Sequence, residues 1–289
     1  MKRLWLLGAA MVLAASCYRP AEPVGPLRQT SDPNGAAEFV VIGDFGTGGA
    51  DQYAVAEAIR GWAEAHPVDA LVTTGDNIYQ NGRPDRFDEA WHRPYGWVAE
   101  RDIEVVAALG NHDVRTFAGR PVMRLLDMPG PWYAHRLGPV ELVVLDGNSP
   151  EHEEQRRFMA RVLRESAAAW QVVVVHHPPY SCAEEHGGSA EVRALVPALA
   201  RGGADVVLSG HDHVYQRFPP IGGITYLVSG GGGADLDRMA ACPGDTPPPA
   251  ASLDDAHHFL YVRASDEALT IRMVRVPGST VGDTVTLSH

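Results

Sequence analysis

Five short phrases in this 289-residue chain place metal-ligating side chains directly after apolar runs. They are Gly43-Asp44-Phe45-Gly46, Gly75-Asp76-Asn77-Ile78-Tyr79, Gly110-Asn111-His112-Asp113, Val173-Val174-Val175-His176 and Gly210-His211-Asp212-His213. Carboxylates, imidazoles, an amide and a phenol can together hold two metal ions side by side. Such a pair needs a bridging carboxylate and further ligands from several directions. Asp44 and Asp76 follow glycines, which let the backbone turn sharply and aim the carboxylate inward. A single Asp after a strand is most often a turn or helix cap. Five such phrases in one chain outweigh that reading.

Tyr79, three residues after Asp76, narrows the chemistry. A phenolate is a hard anionic donor that suits Fe(III). It suits Mg, Mn or Zn poorly at neutral pH, because free tyrosine ionises only near pH ~10. Asn111 offers a neutral amide oxygen, which leaves a divalent ion Lewis-acidic. His112 beside it is expected to face a substrate, with Asp113 bonding its ring and holding it protonated. His176 and His177 are neighbours, and side chains on an extended backbone alternate faces. Both cannot then point into one site, so one of them, His177 if His176 is the ligand, lies behind the metals or faces a substrate. His211 and His213, two apart, share a face on extended backbone and can each serve a metal.

The elements that must position these groups are legible as continuous apolar runs, the mark of strands buried on both faces. The runs are Phe39–Ile42, Ala70–Thr73, Ile103–Ala107, Leu142–Leu145, Val172–Val175 and Val206–Leu208. Each ligand phrase then falls at the carboxyl end of a strand, where open α/β sheets place their sites. Helical periods cover Gln52–Ala65, with Val55, Ala58, Ile59 and Trp62 on one face, and Glu153–Ala168, with Phe158, Val162 and Leu163. Thr225–Ser229, Phe259–Ala264 and Leu269–Val276 alternate like antiparallel strands. Units of βα type followed by late strands predict two packed sheets flanked by helices. The Pro-rich segment 242–251 excludes helix and central strand and reads as a surface loop near the site.

Apolar content of 45% and charged content of 21% are ordinary for a globular chain. The formal net charge of −12 repels nucleic acid and anionic membranes, and would repel a phosphate ester unless metals supply local positive charge. Lys2-Arg3 and the apolar stretch from Leu4 to Ala15 read as an export signal, too short for a finished membrane anchor. Leu13-Ala14-Ala15-Ser16-Cys17 resembles a bacterial lipoprotein cleavage box, with Cys17 as the lipidated residue and Ala14 where leucine is usual. An ordinary secretory peptide is the alternative. This divides the chain into a signal with lipobox (1–17), a tether with four prolines (18–36) and one domain (37–289). Cys182 and Cys242 remain, as one disulfide or as two free thiols.

The five phrases, in this order, resemble those of the calcineurin-like metallophosphoesterases, and Asp76-x-x-Tyr79 resembles the purple acid phosphatases, in particular the small single-domain mammalian-type form. Pro131-Trp132-Tyr133, Leu145-Asp146 and Tyr226-Leu227-Val228-Ser229-Gly230-Gly231 extend the resemblance over most of residues 38–276. The resemblance implies an α/β fold of four layers, α/β/β/α, with two mixed sheets. It implies that Asp44, Asp76, Tyr79 and His213 bind Fe(III), that Asp76 bridges, and that Asn111, His176 and His211 bind a divalent Fe, Zn or Mn. It implies hydrolysis of small phosphate monoesters by in-line attack of a metal-bound hydroxide. His112 would act as general acid with His186, although the phrase Ala183-Glu184-Glu185-His186-Gly187 is one residue longer than the family pattern. The expected protein is an exported monomer, periplasmic or anchored to the outer membrane only through its N-terminal lipid, with no nucleic-acid partner. The alternatives are a divalent-metal phosphodiesterase in which Tyr79 is no ligand, and a non-catalytic binding lipoprotein.

Overall fold

A computed structural model describes residues 35–289. The signal, Cys17 and the tether up to residue 34 lie outside the described residues. The strands are β1 (Ala37–Ile42), β2 (Ala70–Thr73), β3 (Glu104–Ala107), β4 (Tyr133–Leu137), β5 (Val140–Leu145), β6 (Trp170–Val175), β7 (Val206–Ser209), β8 (Tyr215–Arg217), β9 (Thr225–Ser229), β10 (Ala251–Leu253), β11 (His257–Ala264), β12 (Ala268–Val276) and β13 (Thr280–Ser288). The helices are α1 (Ala50–Ala65), α2 (Arg93–Glu100), α3 (Arg120–Leu125), α4 (Glu153–Glu165), α5 (Ala190–Arg193) and α6 (Val196–Gly202). The helical period expected to reach Ala168 stops at Glu165, because Ser166 turns extended and leads the chain back to β6.

Both sheets are mixed. One has the order β13-β12-β11-β1-β2-β3 and the other β10-β8-β9-β7-β6-β5-β4. Parallel pairing joins β1, β2 and β3, and separately β5, β6, β7 and β9. The two-residue period of the strands explains the layers. Phe39 and Val41 enter the core between the sheets together with Leu142, Val144, Val172 and Val174. Val40 and Ile42 face the other way, onto Val55 and Ile59 of α1 and Val98 of α2. Val143, Val173 and Val175 do the same against Met159 and Leu163 of α4 and Leu199 of α6. Strands apolar on both faces thus produce three cores and the expected α/β/β/α sandwich.

Two cross-links matter for the site. Asp283 on β13 accepts from Arg217 Nε (2.6 Å) and Tyr215 Oη (2.8 Å) on β8, joining one sheet to the other. Cys182 and Cys242 form a disulfide with their Cα atoms 4.4 Å apart. It ties the loop after β6 to the loop after β9.

Candidate metal centre

The parallel strands of both sheets end at one place. Asp44 follows β1, Asp76 follows β2, Asn111 and His112 follow β3, His176 follows β6, and His211 and His213 follow β7. The glycines alone do not make the turns. Asp44, Asp76 and His211 are themselves left-handed, with φ of 58°, 51° and 72°. Such backbone costs about 1–3 kcal/mol per residue and persists only where the surroundings over-determine it. Here Asp44 N donates to Gly75 O (3.0 Å). Asp44 Oδ2 accepts from His211 N (2.9 Å), and Asp76 Oδ1 accepts from His112 N (2.8 Å). Gly110 is required because a Cβ there would overlap Asp76 Oδ1.

The donors fall into two groups. Tyr79 Oη lies 3.4 Å from Asp44 Oδ1 and 3.0 Å from His213 Nε2. Asn111 Oδ1 lies 3.0 Å from His176 Nε2 and 3.1 Å from His211 Nδ1. Asp76 stands between, with Oδ2 3.5 Å from His176 Nε2. Ligand atoms of Asp44, Asp76 and His176 all lie within 4.8 Å of one another. Backbone carbonyls select the free ring nitrogens. His176 Nδ1 donates to Thr74 O (2.9 Å) and His213 Nδ1 to Asp235 O (2.6 Å), leaving each Nε2 lone pair aimed inward.

Burial dominates the electrostatics. It pushes the Asp44 carboxyl up to about 7 against the nearby imidazoles of His176 and His213, with Asp76 adding like-charge repulsion. Burial also acts upward on Asp76, but His176 and His112 outweigh it and hold Asp76 below the usual carboxylate range. His176 resists its own burial and rises to about 9 because Asp76 and Asp44 face it. Burial, then His176 and His177, drive His211 down to about 2, a neutral imidazole with its lone pair free. The Tyr79 phenol is pushed far up by burial and by Asp44 and Asp76, so it ionises only against a strongly acidic cation. Crowded buried carboxylates that hold protons on His176 and on themselves accept cations in place of those protons. The residues present therefore fit a metal pair.

Two expectations need correction. Asp113 does not bond the His112 ring. It is fully buried and accepts from Ile78 N (3.0 Å), Asn77 N (3.1 Å), Asn77 Nδ2 (2.8 Å) and Gly110 N (2.9 Å), fastening the Asp76 loop to the Asn111 loop. His112 Nδ1 is instead backed by Gln80 O at 2.7 Å. Nor are His176 and His177 kept on opposite faces, and His177 borders the site, as expected of a residue behind the metals or toward a substrate. Its ring centroid is 4.5 Å from that of His211 and 5.0 Å from that of His176. Strand β6 ends at Val175, so alternation no longer governs residues 176 and 177. His186 does reach the site, stacked on His211 at 4.3 Å. Sequence reasoning missed Asp235 and Asp237, whose backbone and carboxylate hold His213, the latter accepting from His213 N at 2.7 Å. It also missed Arg115, which donates to Gln80 O at 3.1 Å beside His112. The only signal for the acids was their place at the exit of the Gly230–Gly233 run.

Two sheets closing over a carboxylate-histidine-tyrosine cluster at their parallel strand ends define a metallophosphoesterase site. The family model for calcineurin-like phosphoesterases matches residues 37–215, more than half of the chain, and the chain belongs to that family of hydrolases. Among its relatives it is similar to the purple acid phosphatases. It is 27% identical to purple acid phosphatase 4 of Arabidopsis thaliana over 88% of this chain and 85% of the relative. It is 27% identical to tartrate-resistant acid phosphatase type 5 of Mus musculus over 86% and 90%. Its fold matches that of purple acid phosphatase PPD1 from yellow lupin seeds, with a TM-score of 0.74 and 20% identity over 88% of this chain and 54% of that one. GAP50 of Plasmodium, described as an anchor in the inner membrane complex, shares the fold at a TM-score of 0.72 and 18% identity over 88% and 89%. Likeness of fold at this identity does not distinguish the two, so the side chains must.

Proposed function

We propose that this chain hydrolyses phosphate monoesters at a binuclear centre of Fe(III) and a divalent Fe, Zn or Mn. The observation that carries the reading is the convergence of Tyr79 Oη on Asp44 Oδ1 and His213 Nε2, a hard phenol in a buried acidic corner. Asp44, Tyr79 and His213 would hold the ferric ion, Asn111, His176 and His211 the divalent one, and Asp76 both. When bound, the pair supplies Lewis acidity toward the phosphoryl oxygens and a water nucleophile active near neutrality. The chain's own residues do the rest. His112 keeps Nε2 3.9 Å from Asp76 Oδ2 while Gln80 O holds its Nδ1–H, and a proton on Nε2, which Asp76 favours against the burial that lowers its pKa, would pass to the leaving alcohol. His186, stacked on His211, stands on the other side as a second donor. Asp113 keeps the loops of both metals in register.

The competing reading is a divalent-metal phosphodiesterase. Hydrolysis of 4-nitrophenyl phosphate and bis(4-nitrophenyl) phosphate by the same preparation separates the two. Faster turnover of the monoester is expected, and a clear preference for the diester would overturn the monoesterase reading.

We also propose that the chain is exported and anchored through Cys17. The basic and apolar N-terminus supports this, as does the Cys182–Cys242 disulfide, which belongs to an oxidising compartment. Mass spectrometry of the mature N-terminus should find an acylated Cys17, and a mature chain whose N-terminus lies beyond Cys17 would contradict it.

A further inference from the structure

Among the described residues, three large apolar side chains are exposed, and Phe117 at 77% is by far the most open. A lone exposed apolar residue would need no explanation. Phe117 differs in two respects. Phe117, Ala118 and Gly119 are left-handed in succession, with φ of 48°, 52° and 76°, and for a bulky aromatic residue this is costly backbone. It also lines a hollow next to one that Tyr79 lines. One cavity of about 420 Å³ runs from Tyr79 and Gln80 past Asn81, Arg83 and Asp85. A second, of about 450 Å³, shares Asn81, Arg83 and Asp85 and continues to Thr116 and Phe117. Sharing three lining residues, the two form a groove with the Tyr79 side chain at one end, a polar middle and an aromatic ring at the other.

Arg83 belongs to both hollows. Its guanidinium is held in a two-pronged bond to Asp85, Nε to Oδ1 at 2.9 Å and Nη2 to Oδ2 at 3.1 Å. The net charge of that pair is near zero. Its flat face remains a stacking surface, as guanidinium planes are for heteroaromatic rings. A ligand matching the groove carries a phosphoryl group at one end, a hydroxylated spacer in the middle and a flat ring at the other.

We propose that this groove is the leaving-group subsite and that Phe117 selects nucleoside monophosphates over phosphate esters lacking the base. The proposal rests on the phosphomonoesterase reading above. The phosphoryl group lies at the metals beside Tyr79, the sugar lies against Asn81 and Arg83, and the base stacks on Phe117. Arg83 is a second, weaker stacking partner.

AMP and ribose 5-phosphate test this, since both release a primary 5′-alcohol and differ only in the base. The native enzyme is expected to show the higher kcat/KM for AMP. Phe117→Ala should lower kcat/KM for AMP on the order of ten-fold, mostly through KM, and change ribose 5-phosphate less than about two-fold. Phe117→Trp should retain the preference, and Arg83→Ala should lose a smaller part of it. Calorimetric titration of the metal-loaded protein with AMP and with ribose 5-phosphate reads the same preference without turnover. Its Phe117→Ala difference separates failure of the subsite from failure of the phosphatase reading. Thermal unfolding should be unchanged in Phe117→Ala, because the ring packs into no core. Equal treatment of the two ligands by the native protein, or equal losses for both in Phe117→Ala, would overturn the proposal.

Discussion

Asp44, Asp76 and His176 form the floor of the site with almost no exposed surface, whereas His112, His186 and Phe117 stand at its rim in loops partly or wholly open to solvent. Each floor residue is fixed by partners from other strand ends: Asp44 by Gly75 and His211, Asp76 by His112, His176 by Thr74. The rim depends on fewer ties, chiefly Gln80 O for His112 and a ring stack for His186. The fold itself thus fixes the cluster that would hold the metals. On the proposed function, proton transfer and choice of substrate would fall to loops that can change without disturbing it.

The comparison breaks most easily at Asp76. Asp76→Asn keeps the volume and tolerates the left-handed backbone but removes the shared charge. Metal content should fall for both ions, and kcat/KM should fall by more than the roughly 100-fold that losing a partner around a ligand costs. Retention of two metals would mean that Asp76 does not bridge. At the rim, His112→Asn should keep both metals while kcat for an alkyl phosphate drops about 10²–10⁴-fold, the usual worth of a general acid. A nitrophenyl ester, whose alcohol departs without a proton, should lose much less. Equal losses, or loss of metal, would move His112 from the rim to the floor.

The floor was legible in the sequence because strand periodicity and glycine-led turns are local signals. Ala70–Thr73 and Thr225–Ser229 have the bounds that their apolar patterns give, and Gly75-Asp76 comes just after the first of them. Strands β4, β8, β10 and β13 were not legible. In Thr280–Ser288, Gly282 and Asp283 interrupt the alternation of Val281, Val285 and Leu287 with threonine and serine, and the segment becomes a strand by pairing with β12. The part of Asp113 was hidden for a related reason. Its partners Asn77 and Ile78 lie 36 and 35 residues away in sequence, so only tertiary structure brings them to its carboxylate. For His177, only the expectation that it and His176 could not share one site fails, because both lie past Val175, where β6 and its alternation end. Phe117 gave no signal, since its exposure and left-handed backbone are properties of the folded loop.

The central claim is that Tyr79 and the floor residues hold a ferric ion beside a divalent one. Metal analysis and visible absorption on protein purified aerobically without added metal, native and Tyr79→Phe in parallel, test it most directly. Two metals per chain with at least one iron are expected, with a coloured native protein from tyrosinate-to-Fe(III) charge transfer. The Tyr79→Phe protein should lose that band. A colourless, active native protein holding only zinc or manganese, or a band that survives in Tyr79→Phe, would contradict it.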